Sequence, residues 1–360
     1  MRGGGVEKKR IEIATELLRR GYAVIFLLIQ KEGAYVEQVP DGVEVIELKS
    51  YSKRYFRTLL ALPALVRYLK RQNPVVCFSS LTRNNTVAAL ATFFVNQAQT
   101  KIVVIEHIHL STMLQNTNGI KSKLMPFFMS LLYRRAHRVV GVSKGVTDDI
   151  LKRLGLPKEL CTTIYNPVDI DKIERLQTEQ VDTTIMYPDQ RYIIGVGRLT
   201  PQKNFALLVD AFAEVSKHDT QLRLLILGEG PLRNKLEQQV FDLGLTEKVT
   251  MPGFVDNPYA YMARAEVFVL SSDWEGFGNV IVEALACGTS VVSTDCPSGP
   301  AEILQDGKYG SLVLVYDIYE LGKAIQMELE SPTTSATELK SRAQNFAVEK
   351  ITDQYLELCC

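Results

Sequence analysis

The chain has 360 residues, a hydrophobic content of 46% and equal numbers of Lys/Arg and Asp/Glu, 41 of each. This length predicts two domains, and the composition is that of a globular protein with hydrophobic cores. No apolar run approaches the ~18 residues of a membrane-spanning helix. The six cysteines form no C-x-x-C pair, so they fit a reducing cytosol better than a disulfide framework or a zinc site.

The neutral total hides a strong division of charge. Residues 1–166 hold 25 Lys/Arg against 12 Asp/Glu, whereas residues 167–360 hold 16 against 29. Within 49–144 there are 15 basic residues and a single acid, Glu106. Such a one-sided block indicates an anionic partner, for which membrane phospholipid and nucleic acid are the two candidates.

The first half alternates helical and strand-like segments, which predicts a parallel sheet covered by helices. Predicted helices cover 7–20 and 58–71, and predicted strands cover 23–29, 43–48, 75–78, 102–105 and 139–142. The chain opens with Met1-Arg-Gly-Gly-Gly5 directly before its first helix, although a glycine loop at a helix start normally follows a strand. We therefore expect either that the central first strand is missing or that the true start lies upstream.

The second half repeats this alternation after a weakly patterned stretch. Predicted strands cover 192–196, 222–227, 249–251, 267–270 and 290–294. Predicted helices cover 205–217, 232–243 and 259–264, and a glycine turn followed by a helix covers 276–286. The resulting domain prediction has four parts. They are an N-terminal Rossmann-like domain (1–166), a linker (167–191), a C-terminal Rossmann-like domain (192–345) and a helical segment (346–360) that packs back toward the first domain.

Two acids flank a glycine-bearing turn in Glu275-Gly-Phe-Gly-Asn-Val-Ile-Val-Glu283. The turn leads through Gly278, Asn279 and Val280 into a predicted helix, whose first N–H groups lack partners and attract phosphate. Carboxylates beside a bound phosphate suit a sugar nucleotide, with its diphosphate on the N–H groups and its hydroxyls on the acids. The alternative is a glycine turn with two solvated glutamates, and this segment alone leaves both open.

Basic residues follow the first strand of the second half. Loops at the carboxyl ends of strands are where open α/β sheets bind ligands. Arg198 and Lys203 lie in such a loop and suit a diphosphate, by bidentate and point-charge contacts. Taken alone, the loop equally fits two exposed basic side chains. Gly253 and Phe254 follow strand 249–251 and offer backbone to a nucleobase, although this signal is weak.

Together these motifs resemble the retaining glycosyltransferases of family 4, whose GT-B fold has two Rossmann-like, doubly wound α/β domains facing across a cleft. The matching segments are Gly-Arg-Leu-x-x-x-Lys-Asn, Gly-x-Gly-Pro, Glu-Gly-Phe-Gly-x-x-x-x-Glu-Ala and Asp-Cys-Pro-Ser-Gly-Pro-Ala-Glu-Ile, and the resemblance is strongest over 192–310. Each motif is weak alone, but their order and spacing are specific. The chain is most similar to bacterial enzymes that extend polyprenyl-diphosphate-linked glycans, surface polysaccharides and lipopolysaccharide.

The resemblance implies a role for each matching position. It assigns Arg198 and Lys203 to the leaving diphosphate and Glu283 to the ribose hydroxyls. It places Glu275 on the hydroxyls of the donor sugar, and the backbone of Gly278, Asn279 and Val280 on phosphate or sugar.

In the first half, the resemblance points to the N-terminal glycines and to a histidine. Gly3 and Gly4 match a glycine loop that approaches donor phosphate and acceptor. His107 matches a position that points into the interdomain cleft, against the alternative of a structural loop histidine. Asp169-Ile-Asp171 looks like the D-x-D of metal-dependent glycosyltransferases with another fold, but it lacks partner acids. We therefore expect no metal and no cofactor beyond the nucleotide-sugar donor.

Segment 120–138 mixes apolar and basic residues, as is typical of an amphipathic helix on an anionic membrane surface. Its apolar residues include Phe127, Phe128, Leu131 and Leu132. A core helix with basic ends is the alternative.

The sequence thus predicts transfer of a hexose or N-acetylhexosamine, with retention, from a nucleotide-diphosphate sugar to a lipid-linked or polysaccharide acceptor. UDP is the expected nucleotide, and the expected place is the cytoplasm, at the inner face of the cell membrane. The alternative is a non-enzymatic protein that binds nucleic acid or another anionic surface through 49–144. It is disfavoured because no nucleic-acid-binding module is recognisable, so we expect no nucleic-acid partner. A dinucleotide-dependent oxidoreductase is disfavoured because no strand is followed by G-x-G-x-x-G and an acid ~20 residues later.

Overall fold

The structure is a computed structural model that describes residues 5–33, 35–48, 57–115, 120–217 and 219–359. The chain divides into two compact units. The first unit comprises Met1–Pro167 and Val348–Cys360, and the second comprises Val168–Ala347. Among the helices of the described ranges, none has the length and apolarity needed to cross a bilayer.

The first unit contains two parallel sheets with helices packed on them. The order of its elements is α1 (Gly5–Arg19), β1 (Ile25–Leu28), β2 (Glu44–Glu47), α2 (Arg57–Leu60), α3 (Leu62–Gln72), β3 (Val76–Ser80), α4 (Thr82–Ala91), β4 (Lys101–Glu106), α5 (Leu110–Gln115), α6 (Ile120–Tyr133), β5 (Arg138–Gly141), α7 (Lys144–Leu154) and β6 (Cys161–Thr163). Strand β1 pairs with β2, and β3-β4-β5-β6 form a second sheet in sequential order. No strand in the described ranges joins the two sheets.

The second unit is built on one six-stranded parallel sheet with the order β12-β11-β10-β7-β8-β9. Its elements are α8 (Ile170–Leu176), β7 (Arg191–Val196), α9 (Phe205–Val215), β8 (Leu222–Leu227), α10 (Arg233–Asp242), β9 (Val249–Gly253), α11 (Pro258–Met262), β10 (Val267–Leu270), α12 (Asn279–Cys287), β11 (Ser290–Thr294), α13 (Pro300–Leu304), β12 (Ser311–Val313), α14 (Ile318–Glu330) and α15 (Ala336–Ala343). The order reverses between β7 and β10, the switch point at which open α/β sheets bind ligands.

The last helix, α16 (Val348–Glu357), belongs to the first unit and packs against α1. Arg20, the residue after α1, pairs with Asp353 and donates to the carbonyl of Glu349 at 3.0 Å. Tyr355 of α16 stacks edge-on against Phe78 at 5.4 Å between ring centroids. The final ten helical residues are therefore part of the first unit, although the second unit precedes them in the chain.

Strands β8 and β10 of the second unit read as largely apolar runs because both faces of the sheet are covered there. Every residue of β10 is buried, and so is every residue of β11. This arrangement explains why the strand predictions for 222–227, 267–270 and 290–294 match the structure residue for residue.

Three segments differ from the sequence-based expectation. The helix predicted over 58–71 is divided into α2 and α3, because Pro63 lies in the first turn of α3, where its missing N–H costs nothing. The amphipathic helix predicted over 120–138 ends at Tyr133, since Arg138 begins β5 and pairs with Val103. The segment 167–191 contains α8, and from Val168 onward it lies in the second unit.

Candidate functional site

The loops that follow β7 and β10 are tied together at the carboxyl edge of the second sheet. Both strands are central, so their ends lie side by side, with Ile193 in register with Val267. Four hydrogen bonds join the loops: Asn204 Nδ2 to Asp273 Oδ1 at 2.7 Å, Gln202 Nε2 to the Trp274 carbonyl at 2.9 Å, Asp273 N to the Gln202 carbonyl at 2.9 Å, and Ser271 Oγ to the Lys203 carbonyl at 2.9 Å. The two predicted motifs are therefore one structural unit.

An ion pair lies at the centre of this junction. Lys203 Nζ contacts Glu275 Oε1 at 2.5 Å, although the residues are 72 positions apart. Ser272 Oγ donates to the same carboxylate oxygen at 2.7 Å. Glu275 is 7% exposed, so water screens this pair less than it would a surface pair. The structure thus places a cation and a carboxylate within one ligand's reach.

The glycine turn after Glu275 opens directly onto α12, as predicted. Gly278 is the residue before the helix, with φ +93°, and no side chain caps the helix start. Its first N–H groups are therefore not satisfied by a capping side chain. Asn279 Oδ1 is buried without a hydrogen-bond partner in the described part of the chain. Glu283 lies one turn further along and is buried.

A third loop, between β11 and α13, packs against the glycine turn. The Glu275 N–H donates to the carbonyl of Pro297 at 3.3 Å, in the loop between β11 and α13. Gly299 in this loop has φ +107°, and a Cβ there would lie 1.8 Å from the carbonyl oxygen of Phe277. The Phe277 ring packs edge-on against Phe346 at 5.5 Å. Only glycine allows this close approach, so this loop and the turn form one packed structure.

The loops after β8 and β9 adjoin the Arg198 loop. The Leu199 N–H donates to the Glu229 carbonyl at 2.9 Å, and the Gly228 N–H donates to the Gly253 carbonyl at 2.8 Å. Phe254 follows and is 75% exposed. The structure therefore brings the weakly predicted pair Gly253 and Phe254 to the same sheet edge as the charged motifs.

Arg198 extends from the Lys203 loop into solvent. Its side chain is exposed and makes no hydrogen bond or ion pair with any residue that the structure describes. Lys203, by contrast, has its charge balanced by Glu275. Among the described residues, the loop therefore carries one cation without an ion-pair partner, Arg198, and one with a partner, Lys203.

His107 follows β4 in the first unit. Its imidazole is buried, and neither ring nitrogen has a hydrogen-bond partner among the described residues. Burial, aided by the charge of Arg10, holds the pKa of His107 well below its usual value of 6.5. The imidazole is therefore neutral at pH 7. His109 instead lies beside Thr112 and Asp149, at 3.2 and 3.7 Å from Nδ1, and Gly3 and Gly4 lie outside the described residues.

The Asp169-Ile-Asp171 motif lies at the start of α8. Asp169 accepts from the N–H of Lys172 at 3.0 Å and caps α8, which accounts for an acid at this position. Within the described ranges, no group of three or more His, Cys, Asp or Glu side chains is arranged to hold a metal ion.

Several residues of the site were missed by sequence reasoning. Ser272 and Asp273 join the two loops but belong to no motif, and only the tertiary structure identifies them. Asn204 had a readable signal, because an asparagine directly before an apolar helix is a common N-cap, and its side chain accepts from the Leu207 N–H at 3.3 Å.

Comparison with known proteins assigns both halves of the chain. Residues 3–172 match the domain described as Glycosyltransferase Family 4, and residues 177–346 match Glycosyl transferases group 1. A relative in Campylobacter jejuni, N-acetylgalactosamine-N,N'-diacetylbacillosaminyl-diphospho-undecaprenol 4-alpha-N-acetylgalactosaminyltransferase, is 31% identical over 99% of this chain and 96% of its own length. The chain belongs to glycosyltransferase family 4.

Solved structures agree with this assignment. HepE from Anabaena, crystallised with UDP, is 25% identical and superposes with a TM-score of 0.79 over 98% of this chain and 95% of its own. Sucrose-phosphate synthase from Thermosynechococcus elongatus, 21% identical, has the same fold, with a TM-score of 0.79 over 99% of this chain and 93% of its own. This family 4 glycosyltransferase therefore has the GT-B fold that the motifs implied.

Proposed function

We propose that this glycosyltransferase transfers a hexose or N-acetylhexosamine, with retention, from a UDP-sugar to a lipid-linked or polysaccharide acceptor. The observation that carries the proposal is the contact between Lys203 and Glu275 beside the uncapped start of α12. Such an edge offers cations and N–H groups to a diphosphate, and carboxylates to sugar hydroxyls. The UDP bound to HepE and the diphospho-undecaprenol-linked acceptor in the Campylobacter relative's name support the two substrate classes.

Stabilising the leaving group is the main task of the second unit in this mechanism. When the bond between sugar C1 and the diphosphate breaks, negative charge develops on the diphosphate. Arg198 supplies a bidentate guanidinium, and Lys203 has three N–H donors, of which Glu275 uses one. The start of α12 adds its partial positive charge. These groups supply the electrostatic stabilisation that a metal ion gives elsewhere, so we expect turnover without a divalent cation.

The remaining residues of the edge bind the neutral parts of the donor. Glu275 accepts from hydroxyls of the donor sugar, and Glu283 accepts from the ribose hydroxyls. The backbone of Gly278 to Val280 contacts phosphate or sugar. The nucleobase lies against Gly253 and the exposed ring of Phe254, whose face suits stacking.

Retention follows when the acceptor hydroxyl attacks C1 from the face that the diphosphate leaves. A bond forms from C1 to the acceptor oxygen as the C1–phosphate oxygen bond breaks, and the acceptor proton passes to the departing phosphate. No covalent glycosyl-enzyme is needed, and Glu275 would be a poor nucleophile because Lys203 and Ser272 already bond its carboxylate. Neutral His107 offers an uncharged hydrogen bond to a substrate hydroxyl, with Gly3 and Gly4 assigned to donor phosphate and acceptor.

Because the proposed acceptor is lipid-linked, we place the first unit at an anionic membrane surface, the inner face of the cell membrane. We call the exposed part of α6 and the turn after it the α6 surface: Leu124, Phe127, Phe128, Leu131, Arg134 and Arg135. Contiguous apolar side chains beside exposed arginines fit the interface of anionic lipids. Family membership leaves the alternative, a non-enzymatic nucleic-acid-binding protein, without support.

A donor screen tests the proposed reaction. Purified enzyme is given a panel of UDP-sugars with a polyprenyl-diphosphate saccharide, with and without EDTA, and the product's anomeric configuration is read by NMR. We expect one donor to be used, with retention and no loss of rate in EDTA.

Lys203→Ala and Glu283→Ala should each lower turnover by about 100-fold or more, as loss of one transition-state contact does. Lys217→Ala, which removes a surface pair with Glu214, should have no effect. Wild-type turnover in Lys203→Ala or an inverted product would contradict the mechanism.

A further inference from the structure

Glu106 is a buried carboxylate in the most basic part of the chain. It ends β4, is 3% exposed and is the only acid within 49–144. A buried carboxylate is costly unless several donors satisfy it. Nothing in the proposed reaction uses Glu106, so its presence there needs another explanation.

Three hydrogen bonds from two helices converge on the Glu106 carboxylate. Thr82 Oγ1 and Asn85 Nδ2, both in the first turn of α4, donate at 2.8 and 3.0 Å. The Tyr133 hydroxyl, from the last residue of α6, donates to the same oxygen as Asn85. Tyr133 and Asn85 are completely buried. One side chain thus fastens the end of β4 to both helices.

A second contact fixes the backbone at this point. Asn85 Nδ2 also donates to the carbonyl of Ile105 at 2.8 Å, and the Val142 N–H donates to the Glu106 carbonyl at 3.2 Å. The next residue is His107, whose two ring nitrogens have no hydrogen-bond partner among the described residues. No hydrogen bond to a described residue orients the imidazole, so the fixed backbone at Glu106 bears directly on where the ring lies.

We propose that Glu106 is a positioning residue for His107: its carboxylate, held by Thr82, Asn85 and Tyr133, fixes the end of β4 and with it the place of the adjacent imidazole. This inference rests on the proposed role of His107 at the substrate. The Tyr133 bond also anchors the C-terminal end of α6 to the same carboxylate. The Glu106 side chain therefore holds both α6 and the end of β4, which His107 follows.

Tyr133 keeps its proton in this arrangement. Burial raises the pKa of Glu106, while the bonds from Tyr133, Asn85 and Thr82 oppose the shift. Burial and the neighbouring carboxylate hold the pKa of Tyr133 well above 10. Tyr133 is therefore a neutral O–H donor throughout the working pH range.

A double-mutant cycle on the full-length enzyme tests the proposal. The variants are Glu106→Gln, which keeps the shape but replaces one of the two accepting carboxylate oxygens by an amide N–H₂, His107→Ala, and the two together. If Glu106 acts through His107, Glu106→Gln should lower kcat about tenfold in the wild-type background and less than twofold beside His107→Ala. Equal losses in both backgrounds would overturn the proposal and leave a structural role only.

A matched buried carboxylate provides the control. Glu328 in the second unit is also 3% exposed and accepts from Ser311 Oγ at 2.9 Å and from Thr333 N at 3.0 Å. Glu328→Gln should lower the thermal midpoint, but any loss of kcat should be the same with and without His107. If Glu106→Gln does not fold, Tyr133→Phe removes one of the three donors without leaving a cavity and takes its place in the cycle.

A readout without turnover separates this proposal from the proposed reaction. The chain has four histidines, so ring nitrogen signals of a histidine-labelled sample are assignable. Tyr133→Phe should shift the His107 ring signals and leave those of His137 unchanged. A wild-type enzyme that transfers no sugar would refute the proposed function, whereas unshifted His107 signals would refute the positioning role.

Discussion

Lys203 and Glu275 show why single substitutions at this site need careful reading. Their side chains are only 17% and 9% exposed, and they are bonded to each other. Removing one partner of a buried pair leaves the other charge uncompensated, at a cost of about 3–5 kcal/mol. Lys203→Ala can therefore lose stability as well as activity. Lys203→Met combined with Glu275→Gln removes both charges, so its thermal midpoint indicates how much of the loss comes from the unpaired carboxylate.

The depressed pKa of His107 predicts a pH dependence of stability. Because the folded-state pKa lies well below 6.5, the unfolded chain binds more protons than the folded chain as pH falls below 6.5. Stability should therefore be full above pH 6.5 and fall by up to ~1.4 kcal/mol per pH unit below it. His107→Gln should remove this part of the slope.

The measurement is chemical denaturation of wild type and His107→Gln between pH 5 and 7.5. Glu106 and His137 also have shifted pKa values, but both are present in the two proteins, so the difference isolates His107. Identical pH slopes for the two proteins would mean that the imidazole titrates normally in the folded state.

At the scale of elements, the loops after the strands matter more for the candidate site than the strands themselves. Gly299→Ala should strain a left-handed backbone and drive a Cβ into the Phe277 carbonyl, 1.8 Å away. Gly244→Ala is the matched control, because Gly244 also has a positive φ, +68°, but nothing within 4 Å of its Cβ position. We expect a loss of about 1 kcal/mol in the control, and of about 4 kcal/mol or more, together with weaker UDP binding, for Gly299→Ala.

Thermal unfolding and UDP titration of both variants measure these effects. Similar losses for Gly299→Ala and Gly244→Ala would mean that the contact with the glycine turn is not tight in solution.

Elements were predictable from the sequence where the local residue pattern favours the same structure as the tertiary packing. The bounds of β8, β10 and β11 were predicted correctly, because both faces of the sheet are covered and the local sequence reflects this burial. The end of α6 was not predictable in this way. Residues after Tyr133 have helical composition, but Arg138 pairs with Val103 of β4 and so lies in a strand. This contact depends on residues far away in the sequence.

At the scale of the whole molecule, charge is divided between the two halves of the chain. Residues 1–166 carry 25 Lys/Arg against 12 Asp/Glu, and the α6 surface adds exposed apolar side chains to this basic half. Vesicles that contain phosphatidylglycerol should therefore bind the enzyme, and neutral vesicles should bind it more weakly. Binding should weaken as salt rises, because salt screens the charges.

The α6 surface should account for the apolar part of this binding. Phe127→Ser with Phe128→Ser should weaken flotation with anionic vesicles about tenfold or more, since burying one aromatic side chain contributes about 1.5–3 kcal/mol. Phe241→Ser is the control, because Phe241 on α10 is at least as exposed, at 70%, but lies in the acidic half. Equal flotation of the double variant and wild type would exclude the α6 surface as the lipid contact.

The sequence by itself determined the α/β class and nearly every strand of the second unit, and it predicted Arg198, Lys203, Glu275 and Glu283 as donor-binding residues. It did so because strand patterns, glycine turns and charged loops are local and leave their mark within a few residues. Only the tertiary structure decided that Lys203 pairs with Glu275, that Gly299 supports the turn and that Glu106 joins two helices to the end of β4. Those contacts join residues far apart in the chain, and chain folding alone sets their distances.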